Sequence, residues 1–239
     1  KSCALLELQE NLEQVQNVVP IYIQAREYAS CFTPEARESQ GLPKDLIGLV
    51  GRMADYQHTV ILIDSLDVLS LAKDYSILSY FLAQIDRLLV IPNITVVVAC
   101  REFDYKYDKR IAERTWEHVV SCKPLDWQSV VLPLIHSWGI DESFLDSNTQ
   151  TLIQNPRELA MFAEVAKKLG GFNVLTSQAL SHQYLDVIVK NNSLLGDSAL
   201  LVLEQIAIQM LQTRRLYVEV NRVNISQQLI NTLISTGVL

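Results

Sequence analysis

The chain has 239 residues, 49% hydrophobic and 20% charged, enough to bury a sizeable core in one large domain or roughly two to three small ones. A formal charge of -7 and an isoelectric point near 5.1 argue against an overall nucleic-acid footprint and leave only a local basic face open. No apolar run approaches the roughly 18 residues of a membrane span and no signal peptide opens the chain, so no membrane partner is expected.

Lys1 and Ser2 open a helical pattern with Leu5, Leu8, Leu12 and Val15 on one face. A naturally translated chain does not begin with Lys, so the expectation is a piece of a longer protein. Val18 to Ile23 reads as a short buried strand with Arg26 and Glu27 just past it. A polar stretch runs through Gln40, and Pro43 then starts a helix whose face is Leu46, Leu49, Val50 and Met53. The next stretch, HTVILIDSLDVL from His58 to Leu69, organises the rest. Its β-branched run from Val60 to Ile63 ends in Asp64, and Asp67 follows three residues later. That is a buried strand carrying acids to its carboxyl end, the edge at which open α/β sheets bind ligands.

A helix from about Asp74 carries Ile77, Phe81, Ile85 and Leu88. Pro92 and Asn93 end it and turn into a second apolar strand, Ile94 to Cys100, closed by Arg101 and Glu102. The segment EFDYKYDKRIAER leads to a weaker strand candidate, His118 to Cys122. Strands alternating with helices, each strand β-branched throughout, predict an α/β fold with a parallel sheet covered on both faces.

After Pro124 the pattern becomes helix upon helix. Asp126 caps one, with Pro133 as a kink; Asn155 and Pro156 introduce another, with Leu159, Phe162, Ala163 and Ala166 inward and Gly170 and Gly171 as its stop. A third runs from about Thr176 to Lys190. Beyond a boundary at Asn191 to Gly196 lie a helix with Leu200, Leu203, Ile206, Ala207 and Met210 inward, a strand candidate at Leu216 to Val220, and a helix from about Ser226 that ends in Gly237, Val238 and Leu239. The expected domains are therefore 1–124 (α/β core), 125–195 (all-α) and 196–239 (a winged-helix-like fragment).

The four cysteines, Cys3, Cys31, Cys100 and Cys122, show no CxxC spacing and read as reduced core thiols, which points to the cytoplasm. The histidines His58, His118, His136 and His182 are scattered, which disfavours zinc, and no G-x-S-x-G elbow supports a serine hydrolase. Tyr105, Lys106, Tyr107, Lys109 and Arg110 form an aromatic and basic cluster that reads either as a contact surface or as a solvated loop.

Lys1 and Ser2, followed at once by an amphipathic helix, fit the last two positions of G-x-x-x-x-G-K-[ST]. In that motif the Lys reaches the β and γ phosphates and the hydroxyl binds Mg²⁺. A nucleotide site of this kind also needs a carboxylate on another central strand, which Asp64 supplies, and Arg101 ends the following strand where a cation can sense the γ-phosphate. The plainer alternatives are a frayed terminus at Lys1, a cap and a turn acid at Asp64 and Asp67, and a surface Arg101 paired with Glu102. Glu102 and Asp104 could also join Asp64 and Asp67 in a metal site independent of nucleotide.

The order of these pieces is Lys-Ser on a helix, a strand followed by Arg26, LIDSLD, VVVACR, a helical region with NPREL, and the tail. It resembles the STAND class of P-loop NTPases, including its NACHT-type members, over nearly the whole chain. The resemblance implies that Lys1 is the Walker A lysine and Ser2 a Mg²⁺ ligand. Asp64 would be the Walker B aspartate that shares the metal, Asp67 a second acid near the attacking water, Arg101 the sensor, and Pro156 a lid residue near the base. It further implies ATP or ADP and Mg²⁺ as cofactors, slow hydrolysis coupled to a conformational switch, and homo-oligomerisation on activation, with the other domains of the same longer chain as partners. In the family the strand before the P-loop lies between the strands here read as Ile94 to Cys100 and His118 to Cys122. Three features depart from the pattern: the Walker A glycines are absent from this chain, Val68 follows Asp67 where many members carry a further acid, and the tail holds no histidine. Two other readings differ in class, a winged-helix DNA-binding regulator and a scaffold that keeps the fold without nucleotide. Against the former, residues 196–239 hold Arg214, Arg215 and Arg222 against Asp197, Glu204 and Glu219, with no basic recognition face.

Overall fold

The computed structural model describes residues 1–71, 74–223, 225–235 and 238. It divides into two compact units, residues 1–121 with 209–218, and residues 122–208 with 219–239. The expected helix end at Gly237 and Leu239 lies outside the described residues.

The first unit is α/β, built on a three-stranded parallel sheet in the order β1 (Val18–Gln24), β2 (His58–Asp64) and β3 (Ile94–Val98). In register, Ile23 lies beside Ile63 and Ile63 beside Val98, so all three strands end at one edge. The β2 sequence explains its central place. Alternate residues of a strand face opposite sides, and in TVILI both sides are apolar, so both faces must be covered. Val60 and Leu62 pack with Leu5, Leu8 and Leu12 of α1 (Ser2–Glu13). Ile61 and Ile63 pack on the other face with residues that include Leu46 and Val50 of α3 (Leu46–Ala54) and Phe81, Ile85 and Leu88 of α4 (Ser76–Leu88). A short helix α2 (Pro34–Ser39) precedes α3, capped by Thr33. The start expected at Pro43 is displaced to Leu46, because Asp45 rather than Pro43 supplies the cap, accepting from Gly48 N at 2.9 Å.

After β3 come two short helices, α5 (Glu102–Tyr107) and α6 (Lys109–Ala112). The strand expected at His118 to Cys122 does not form: the segment is outside the sheet, with Val120 90% exposed. A β-branched run becomes a strand only where a neighbour takes its N–H and C=O groups, and among the described residues none pairs with it. The same reason accounts for Leu216 to Val220, which is irregular chain running into a 3₁₀ turn at Val220–Arg222, so the strand expected there does not form.

The second unit is helical: α7 (Leu132–Ser137), α8 (Ser147–Ile153), α9 (Pro156–Leu169), α10 (Ser177–Tyr184), the first part of α11 (Gly196–Thr213) and α12 (Gln227–Ser235). Val131, Ile135, Ile153, Phe162 and Leu180 form its main core, with Phe162 stacked on Phe172 at 4.6 Å. A π turn over Trp127–Val131 leads into Pro133, whose missing N–H is tolerated at the start of α7. Asn155 and Gly170 bound α9 as expected; Gly170 has φ 79°, a left-handed value that only glycine adopts freely. Among the described residues no helix is long and apolar enough to cross a membrane.

Three helical turns in this unit start on aspartates. Asp126, Asp141 and Asp146 each accept a backbone N–H, from Ser129, Ser143 and Thr149. These bonds hold all three carboxyls below the usual range, with the Ser129 hydroxyl the larger cause at Asp126. A depressed folded value gives stability that is present above the unfolded value, about 3.9, and is lost as the pH falls through the folded one. The helical signal of the second unit is therefore expected to melt earlier as the pH falls below about 4, a dependence that circular dichroism should find weakened when all three are changed to Asn, which caps without titrating.

Candidate functional site

The strand pattern that buries Val60 and Leu62 against α1 directs the next residue of that face, Asp64, toward the same side at the carboxyl edge. The turn between α1 and β1 sits at the opposite edge, where His58 N donates to Asn17 O, so α1 runs back and brings its N-terminus over Asp64. Asp64 is wholly buried. Its Oδ2 accepts from Ser2 Oγ at 2.6 Å and from Tyr22 OH at 3.0 Å, whereas its Oδ1 has no partner.

The second acid is placed by a sharp turn. Ser65 has φ 58°, in the left-handed region that non-glycine residues enter rarely, and Leu66 N donates to Ala99 O beyond β3. The chain then enters a 3₁₀ turn, Leu66–Leu71, in which Asp67 is 2% exposed. Lys1 Nζ donates to its Oδ1 at 3.1 Å, and Arg101 Nε lies 2.7 Å from its Oδ2. Arg101 Nε also donates to Asp104 Oδ2 at 2.8 Å. Asp104, 5% exposed, is approached in turn by Ser70 Oγ at 3.1 Å, a hydroxyl that shares its one proton with the Asp67 carbonyl at 2.7 Å. Three buried carboxylates thus face two cations, one negative charge in excess.

The structure accordingly brings together Lys1, Ser2, Asp64, Asp67 and Arg101, residues up to 100 positions apart, at one sheet edge. Pro156 stands in the second unit as the first residue of α9, behind the Asn155 cap whose side chain accepts from Arg157 N at 3.0 Å. Sequence reasoning missed Tyr22, Ser70 and the part played by Asp104. The signal for Tyr22 was a lone polar-tipped residue in an aliphatic strand, two residues before the position that pairs with Asp64.

Burial, then the bond and charge of Asp64, push the Tyr22 phenol up to about 12, so it remains a proton donor to Asp64 throughout the neutral range. The Cys100 thiol is likewise raised, by burial first and by Asp67 second. Replacing Tyr22 by Phe removes one of two donors to a buried carboxylate; chemical denaturation should show a loss of about 1.5–3 kcal/mol.

Among the described residues no three His, Cys, Asp or Glu side chains converge to hold a metal, which disfavours a nucleotide-independent cage of Asp64, Asp67, Glu102 and Asp104. Mg²⁺ does not need one, since it takes one or two protein oxygens and completes its shell with water and phosphate. Ser2 Oγ and the unpartnered Asp64 Oδ1 are oxygens of the type such a site would use. Beside them α1 carries no acidic residue in its first turn, and a helix N-terminus favours an anion through its amides and dipole.

The aromatic and basic cluster behaves differently. Arg110 pairs with Asp108 at 2.5 Å and stacks on Tyr75, and Lys106 pairs with Glu102. Lys106 and Arg110 are thus paired locally, and the cluster lies on the two short helices α5 and α6 rather than on a loop. The cysteines are all unpaired; Cys31 is buried and Cys100 partly so, but Cys3 and Cys122 are exposed rather than in the core.

Neither protein-family models nor curated proteins give a match to this chain.

Proposed function

We propose that the chain is the nucleotide-binding switch module of a larger STAND-type P-loop NTPase, with NACHT-like features. The observation that carries this reading is the 2.6 Å contact of Ser2 Oγ with the strand-end Asp64, beside Lys1 Nζ on Asp67. A hydroxyl-lysine pair at a helix start and an acid on a neighbouring parallel strand are what phosphate and metal binding require together.

Lys1 would bind β and γ phosphate oxygens, and Ser2 and Asp64 would hold Mg²⁺, which neutralises charge on those phosphates when bound. Arg101 would register the γ-phosphate. Asp67 has both oxygens against cations, Lys1 Nζ and Arg101 Nε, rather than open to a water, which suits slow hydrolysis and an output that is a conformation.

The switch is tested by limited proteolysis and sedimentation of the natural full-length protein with ATP, with ADP and with neither. Distinct cleavage patterns and a larger assembly with ATP are expected. Identical patterns under all three conditions would count against a switch.

A further inference from the structure

We infer that Asp67 is an internal counter-anion, a carboxylate that pairs with the two phosphate-directed cations and from which they must part before nucleotide is held. The inference rests on the nucleotide reading above and assigns Asp67 a role opposite to that of a helper in hydrolysis.

The geometry points to it in three ways. Asp67 is 2% exposed yet both its oxygens are taken, Oδ1 by Lys1 Nζ at 3.1 Å and Oδ2 by Arg101 Nε at 2.7 Å. These two cations are the groups a triphosphate needs, and Asp67 meets both with its charge, accepting a hydrogen bond from Lys1 and forming an ion pair with Arg101, whose Nε proton goes to Asp104. The cations are the mobile partners: their side chains are 33% and 45% exposed while that of Asp67 is 3% exposed, so Lys1 and Arg101 can swing to a ligand while the acid stays fixed. Finally, the site has a single excess negative charge with the clasp closed, which disfavours an anion arriving without Mg²⁺. Asp104, fixed by Ser70, keeps a hold on Arg101 when Asp67 releases it, so the sensor remains at the strand end during the exchange.

The variant that reports on this is Asp67→Asn in the natural full-length protein, with Mg·ATP titrated calorimetrically. Freed cations should tighten binding by about tenfold, or by roughly 1.4 kcal/mol. Glu102→Gln, which removes an exposed carboxylate next to Arg101 that pairs with Lys106, should change affinity less than about twofold if the effect is the clasp and not general charge. Wild-type binding with equal or weaker binding by Asp67→Asn overturns the clasp and leaves the nucleotide reading standing; so does equal tightening by Glu102→Gln. Absence of binding in every folded variant overturns both. Should Asp67→Asn fail to fold, the wild-type protein decides through the Arg101 Nε–H resonance, identified by its loss in Arg101→Lys. It should move when ATP is added and stay fixed with adenosine; a resonance unmoved by saturating ATP overturns the clasp.

Discussion

Asp64→Asn is expected to abolish the Mg²⁺ dependence of nucleotide binding, weakening Mg·ADP by at least about 100-fold, the upper end of what losing even an outer-shell metal partner costs. The same variant should remain folded. Asp64 is wholly buried, receives only two neutral hydroxyls and leaves Oδ1 without a partner, so its charge is stabilised less than the cation-paired Asp67. Neutralising it removes a desolvation cost, and the melting temperature without nucleotide should be unchanged or higher. A melting temperature that does not fall would fit a charge kept for a ligand rather than for packing. The check is a pair of titrations, with Mg²⁺ and with EDTA, alongside a melt; an Asp64→Asn protein that still binds ADP more tightly with Mg²⁺ than without would remove Asp64 from the metal site.

Phe81→Ala should cost about 3–5 kcal/mol, the largest single stability loss we expect. Phe81 is 1% exposed on α4, inside the cluster that covers the Ile61 and Ile63 face of β2, and meets Tyr28 and Tyr80 edge-on at 5.8 and 5.6 Å. Truncation leaves a cavity under the central strand that the parallel sheet cannot close without moving β2, and with it Asp64. Urea unfolding would measure it. A loss below about 1 kcal/mol would mean that α4 does not pack on the sheet as described.

The sheet and its acid were legible because β2 and β3 are apolar runs rich in β-branched residues, although only β2 is buried nearly throughout and β3 is half-buried with Thr95 exposed. The helix boundaries at Asp126, Asn155 and Gly170 were legible because capping is a local property of one or two residues. His118–Cys122 and Leu216–Val220 misled for the converse reason: their sequences favour extended chain, but strand pairing is a property of the neighbour, which a single run does not encode. Within the site, Lys1, Ser2, Asp64, Asp67 and Arg101 were nominated through the order of motifs. What could not be read was the wiring among them. That Lys1 and Arg101 share Asp67, that Tyr22 serves Asp64, and that Ser70 and Asp104 support Arg101 all depend on strand register and on the left-handed turn at Ser65, neither of which leaves a sequence signature.

The central claim is that Lys1 holds nucleotide phosphates, and it is tested most directly by titrating ATP and ADP into the natural full-length protein and its Lys1→Ala form. The account predicts saturable Mg²⁺-dependent binding by the wild type and a loss of at least about tenfold, some 1.4 kcal/mol, in the variant. Equal and negligible binding by both folded proteins would contradict it and leave a scaffold that keeps the fold without the nucleotide.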